Sequence, residues 1–225
     1  MKQRNQGRDT IRFRLALDRS DLAIALVGLL TGAFAAVAYY SFPLRSLAHT
    51  FGVWIVLSAM VAKGNKPIPA CKRVSIALLA AVFAFYVGKG LTYSVLYSGT
   101  TYPVHVFDLV VWSGLAVAAG AALGLSLRFV GDRDWRGTIA TASAIGLAWG
   151  DVIRRIGFDL GDDLALTLFT VLVTALLLAV GSRSLRQVAG NSLLAIPLIV
   201  PGFLIASAPD LLEQLLITGS FSGIL

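Results

Sequence analysis

Runs of about 20 uncharged residues recur along this chain, and the loops between them alternate between strongly basic and neutral or acidic. A run of that length crosses a hydrocarbon core of roughly 30 Å as a helix. Lipid offers the backbone no hydrogen bonds, so each crossing segment must satisfy its own. The feature therefore restricts the fold to an all-α polytopic transmembrane bundle. The ten-residue alternation of a membrane β-barrel is absent from the sequence. With 57% hydrophobic and 14% charged residues and a mean hydropathy of +0.80, a water-soluble core of this size would have too much apolar surface to hide.

Seven spans are expected, at about 22–40, 44–62, 74–97, 104–127, 137–156, 164–180 and 192–208, forming one membrane domain over 22–225 with 209–225 as an interfacial tail. Fifteen of the 19 Lys and Arg fall in 1–21, 63–73, 128–136 and 183–186, on alternate sides of successive spans. The positive-inside rule then puts the N-terminus in the cytoplasm of a bacterial inner membrane, and seven crossings put the C-terminus outside. The opposite loops are neutral or acidic, as at Asp159, Asp162 and Asp163. Residues 1–21 form a basic leader in which Ile11, Phe13, Leu15 and Leu17 interleave with Arg12 and Arg14. It reads either as a topology signal or as a segment on the anionic inner leaflet. Ala36-Val37-Ala38 is placed like a signal-cleavage site, but the long leader and full-length first span read as an uncleaved anchor.

The net charge of +7 lies in short loops between spans, so it explains orientation and does not point to nucleic acid. One cysteine, Cys71, and two histidines exclude a disulfide and leave no metal-site or cofactor motif. No Walker-type phosphate loop is present. The partners implied are the bilayer and a small solute. Glycine pairs four apart (Gly28 and Gly32, Gly120 and Gly124, Gly146 and Gly150) let helices approach closely. They suit internal packing, or a face for a second copy or a partner membrane subunit.

Ionisable side chains remain in the half of the spans away from the basic loops. Arg45 and His49 open the second span, Lys89 lies late in the third, and His105 and Asp108 open the fourth. Asp151, Arg154 and Arg155 close the fifth. Charges at membrane depth are costly unless paired or hydrated. The set therefore reads as a polar pocket for a small zwitterion or anion, with Lys89 reaching Asp108, or as interfacial snorkelling plus a structural ion pair. Pro197 and Pro201, followed by Gly202, remove helix donors near mid-membrane and are expected to loosen or break the seventh span. A re-entrant seventh span would leave six crossings. Transporter, intramembrane enzyme using Asp108 and Asp151, and non-catalytic assembly subunit are the three function classes open to such a chain.

The second half carries a small-residue span ending at Phe129, a polar turn with Trp135-Arg136, then Ile145-Gly146, Arg155, Phe169, Ser184, Arg186 and Pro201-Gly202. Over about 120–215 this order resembles the C-terminal membrane domain of the threonine/serine exporter family. It departs from that pattern at Gly131-Asp132-Arg133, where the family carries Asn-x-Pro, and in spacing its prolines four apart. The resemblance implies export of small hydroxy-amino acids coupled to the proton gradient.

Overall fold

The structure is a computed structural model that describes residues 18–98, 105–157, 161 and 163–218. The leader up to residue 17, Asp159, Asp162, most of the turn at 98–103 and the end of the tail lie outside the described residues. All regular structure described is helical: α1 (Arg19–Tyr40), α2 (Arg45–Ala48), α3 (Gly52–Ala62), α4 (Pro67–Leu96), α5 (Val106–Leu127), α6 (Trp135–Ile156), α7 (Leu164–Gly181) and α8 (Leu185–Thr218). A 3₁₀ turn, Phe42–Leu44, joins α1 to α2.

Local chemistry sets the helix boundaries. Asp18 caps α1 in a reciprocal box with Asp21. The Ser20 hydroxyl and the Asp21 amide hold the Asp18 carboxyl below its ordinary range, so the cap is lost only as pH falls through that lowered value. The helix stops at Ser41, ahead of Phe42-Pro43. Asp134 and Asp163 cap α6 and α7 by accepting from the Gly137 and Leu166 amides at 3.0 and 2.9 Å. Gly157 ends α6 at φ +64°, a conformation side chains resist.

Helix α4 starts at Pro67, seven residues before the expected third span. Proline at the first turn forfeits no helical donor. Two of the four cations in 63–73, Lys72 and Arg73, instead ride in the first two turns of the helix, while Lys63 and Lys66 stay in the link before it. Lys72 pairs with buried Asp21 at 2.6 Å, and Arg73 lies 3.5 Å from the same carboxylate.

Five helices are long and apolar enough to cross a membrane: α1, α4, α5, α7 and α8. Their large apolar side chains point outward, for example Leu26, Leu91, Val110, Leu172 and Leu204. The multi-pass helical membrane class rests on this outward display. Helix α6 is not among the five, for a physical reason. It is rich in Gly, Ala and Thr, carries Asp151, Arg154 and Arg155, and is the most enclosed of the long helices, with 11 of its 22 residues buried.

Two helix groups form. In one, α1 and α5 both pack on α4; in the other, α7 and α8 both pack on α6; short α3 touches α4, α5, α6 and α7 at their junction. The core follows that seam through Ile55, Val74, Leu78, Ile145, Val173 and Leu177. All three glycine pairs are used inside the chain. A Cβ at Gly28 or Gly32 would collide with backbone of α4 at Ala77 and Ala81, and at Gly124 it would stand 2.7 Å from Cys71 Cα. At Gly146 it would stand 2.7 Å from the Leu198 carbonyl carbon on α8.

Hydrogen bonds gather the basic loops at one end. The Gly64 amide donates to the Arg128 carbonyl at 2.9 Å, Lys63 Nζ to the Val180 carbonyl at 2.8 Å, and Arg183 Nε to the Gly131 carbonyl at 3.2 Å. The starts of α4, α6 and α8 therefore share one end of the bundle.

The proline expectation is corrected. Helix α8 runs unbroken for 34 residues with Pro197, Pro201 and Pro209 inside it. Pro197 and Pro201 lie on its exposed face, while Asn191, Ala195, Gly202 and Ala206 are buried. Close contact along α6 holds the helix together, and membrane helices tolerate prolines when neighbours do so. The break lies in the expected second span instead. Residues 44–62 do not form one helix: four-residue α2 and 11-residue α3 flank a non-helical link at His49–Phe51.

Candidate functional site

Helix α3 rises only about 16 Å from the basic end at 1.5 Å per residue, so the His49–Phe51 link falls within the bundle. A link inside a packed bundle needs partners for its polar groups. The Asp151 carboxylate, fully buried on α6, supplies them. Its Oδ2 accepts from Thr50 Oγ1 at 3.0 Å and from the Phe51 amide at 2.8 Å. Thr50 Oγ1 in turn accepts from the Gly52 amide at 3.2 Å. Asp151 thus caps α3 from another helix.

The other oxygen faces the arginines. Asp151 Oδ1 accepts from Arg154 Nη2 and Arg155 Nε, each at 3.2 Å. Each arginine then ties in a further element. Arg154 pairs with Asp210 on α8, and Arg155 donates to the His49 carbonyl. Both guanidiniums stand 5.9 Å from the Phe51 ring centroid. The clamp joins the two pieces of the second span to α6 and α8. Helical spacing put Asp151, Arg154 and Arg155 on one face, as the sequence indicated.

A second cluster centres on Tyr39, at the end of α1. The Lys89 ammonium lies 4.6 Å from its ring centroid, the Arg45 guanidinium 5.8 Å and the His49 ring 5.3 Å. Lys89, Arg45 and His49 therefore do meet, through an aromatic ring the sequence reading passed over. Asp108 does not join them. It sits half-exposed in the first turn of α5, where the helix dipole favours a carboxylate, and among the described residues no ion pair links it to Lys89. His105 is exposed at the start of α5 and gives it no side-chain cap.

Between the link and α4 lies a cavity of about 70 Å³, walled by His49, Phe51, Trp54, Phe85, Tyr86 and Trp112. Roughly 10–15 Å³ of such space holds one water, so several waters fit. Its wall is largely aromatic. The Arg154 and Arg155 guanidiniums stand against its Phe51 wall and the Lys89 ammonium lies 5.7 Å from the Phe85 ring centroid, while Asp108 sits one turn before its Trp112 wall on α5. The Asp108–Asp151 dyad of an intramembrane enzyme finds no support in this geometry, because both Asp151 oxygens are taken up by four donors. Among the described residues, no group of His, Cys, Asp and Glu could hold a metal ion.

Thr50, Phe51, Tyr39 and Asp210 are the contributors that sequence reasoning missed. A signal for the first two was present: Thr50-Phe51-Gly52 leaves only 11 apolar residues before Lys63, too few to cross a membrane. Asp210 lies 56 residues from Arg154, and nothing local couples them.

Compared with protein-family models, curated proteins and solved structures, the chain matches none.

Proposed function

We propose that the chain is a seven-pass inner-membrane protein with its N-terminus in the cytoplasm, and that it is a small-solute transporter or the membrane subunit of one. The reading counts α2 and α3 as one discontinuous pass and includes enclosed α6. One observation carries it: a helix interrupted inside the bundle, stapled by a buried carboxylate and opening beside an aromatic cavity. Discontinuous helices that present a half-helix N-terminus to a solute are a recurring transporter device. The cations against its Phe51 and Phe85 walls suit the carboxylate of a zwitterion, Asp108 near Trp112 suits its ammonium, and the aromatic wall suits its apolar part. A small hydroxy-amino acid fits that description, in keeping with the exporter-like order of residues in the second half.

Reconstituted vesicles under an imposed proton gradient test the reading, with radiolabelled threonine and serine as probes. Flux is expected in the wild type. It should fall to background in Ala48→Phe, which fills the cavity wall without touching the clamp. Folded protein that moves neither probe, or equal flux in the filled variant, contradicts the assignment.

A further inference from the structure

At the opposite, basic end, a cleft of about 530 Å³ opens between the starts of α6 and α8. Arg133, Arg183 and Arg186 line it, with Asp134 as the one carboxylate. Asp134 is already turned inward to cap α6 through the Gly137 amide. Arg183 is anchored through its Nε to the Gly131 carbonyl, which leaves its terminal nitrogens for the cleft. Gln187 is held by the Asp132 carbonyl at 2.7 Å. The cleft therefore presents two net positive charges on a floor fixed by hydrogen bonds, where Thr138 and Gly190 approach each other.

Its surroundings indicate where the counter-charge comes from. Trp135 on the wall is 67% exposed, and Leu185 beside it is 88% exposed. Exposed Ile139 on α6 and Leu193 on α8 continue the apolar surface from the cleft toward the bundle centre. An exposed tryptophan marks the level of lipid headgroups. Arginines bind phosphate oxygens in forked, bidentate fashion. Basic pockets between membrane helices on the cytoplasmic side are suited to anionic headgroups.

We propose that this cleft binds an anionic phospholipid. Its phosphodiester sits among Arg133, Arg183 and Arg186, and its acyl chains lie along Ile139 and Leu193. Neither the solute cavity nor the Asp151 clamp takes part, so the site stands or falls apart from transport.

The test uses the full chain in phosphatidylcholine nanodiscs titrated with phosphatidylglycerol, with bound lipid counted by native mass spectrometry. Wild-type protein should retain phosphatidylglycerol in preference to phosphatidylcholine. R133Q/R186Q, which spares the anchoring Arg183, should bind about thirtyfold more weakly, at roughly fivefold for each charge near an anionic surface. R19Q/K66Q removes the same charge elsewhere at that end and should bind as wild type does. Millimolar glycerol 3-phosphate should not displace the lipid. Equal retention in R133Q/R186Q, an equal loss in R19Q/K66Q, or displacement by glycerol 3-phosphate would each overturn the proposal.

Discussion

Replacing Asp151 with alanine is expected to destabilise the protein by about 3–5 kcal/mol, the usual cost of removing one partner from a buried ion pair. The size follows from the number of groups orphaned. Arg154 and Arg155 lose their shared counter-charge, while the Phe51 amide and the Thr50 hydroxyl lose their acceptor. Asp151→Asn should cost less, about 1–3 kcal/mol, because one carbonyl oxygen can still accept from the link while the amide group opposes the arginines. Thr50→Val removes the hydroxyl's hydrogen bond to the Asp151 carboxylate and the one it accepts from the Gly52 amide, and should cost about 2 kcal/mol. Unfolding in mixed micelles, followed by circular dichroism, ranks the three. An alanine variant no less stable than the Thr50 variant would mean that Asp151 does not bear the joint between α2–α3 and α6.

Gly32→Ala is expected to destabilise, and Gly114→Ala to stabilise, although both are glycine-to-alanine changes inside apolar helices. A Cβ at Gly32 would lie 2.8 and 2.9 Å from the Ala81 carbonyl carbon and Cα and would overlap its oxygen. These are backbone atoms and cannot rotate aside, so α1 must move off α4. Overpacking of that kind costs typically 1–3 kcal/mol, and here about the upper end. Around Gly114 nothing lies within 4 Å. Alanine there should gain up to about 1 kcal/mol by restricting the unfolded backbone. The same unfolding measurement reads both, and equal effects at the two positions would show that α1 does not pack on α4 through Gly32.

The class of fold was legible because lipid leaves few options: hydropathy and loop charge located α1, α5, α6 and α7 to within three residues at either end. Three features escaped for separable reasons. Cations near Pro67 looked like a loop because their partner, Asp21, is 51 residues from Lys72. The second span looked continuous because an 11-residue helix plus a four-residue one matches a single span in summed hydropathy. The prolines of α8 looked like a break because propensity is local, whereas the contact with Gly146 and Gly150 that holds the helix together is tertiary. At the site, Asp151, Arg154 and Arg155 were visible from helical spacing alone. Their targets at Thr50, Phe51, His49 and Asp210 depend on how four helices meet.

The second pass is interrupted at His49–Phe51, and the interruption is expected to open to water on the side away from the basic loops. His49 is exposed, lines the cavity and contributes only its carbonyl to the clamp, so a cysteine in its place reports access without breaking the joint. The measurement is labelling of His49→Cys, in a Cys71→Ser background, by a membrane-impermeant thiol reagent added to right-side-out bacterial vesicles. Rapid labelling from outside, slowed by prior occupation of the cavity with threonine or serine, is the predicted result. Labelling only after the vesicles are opened, or none from either side, would contradict it.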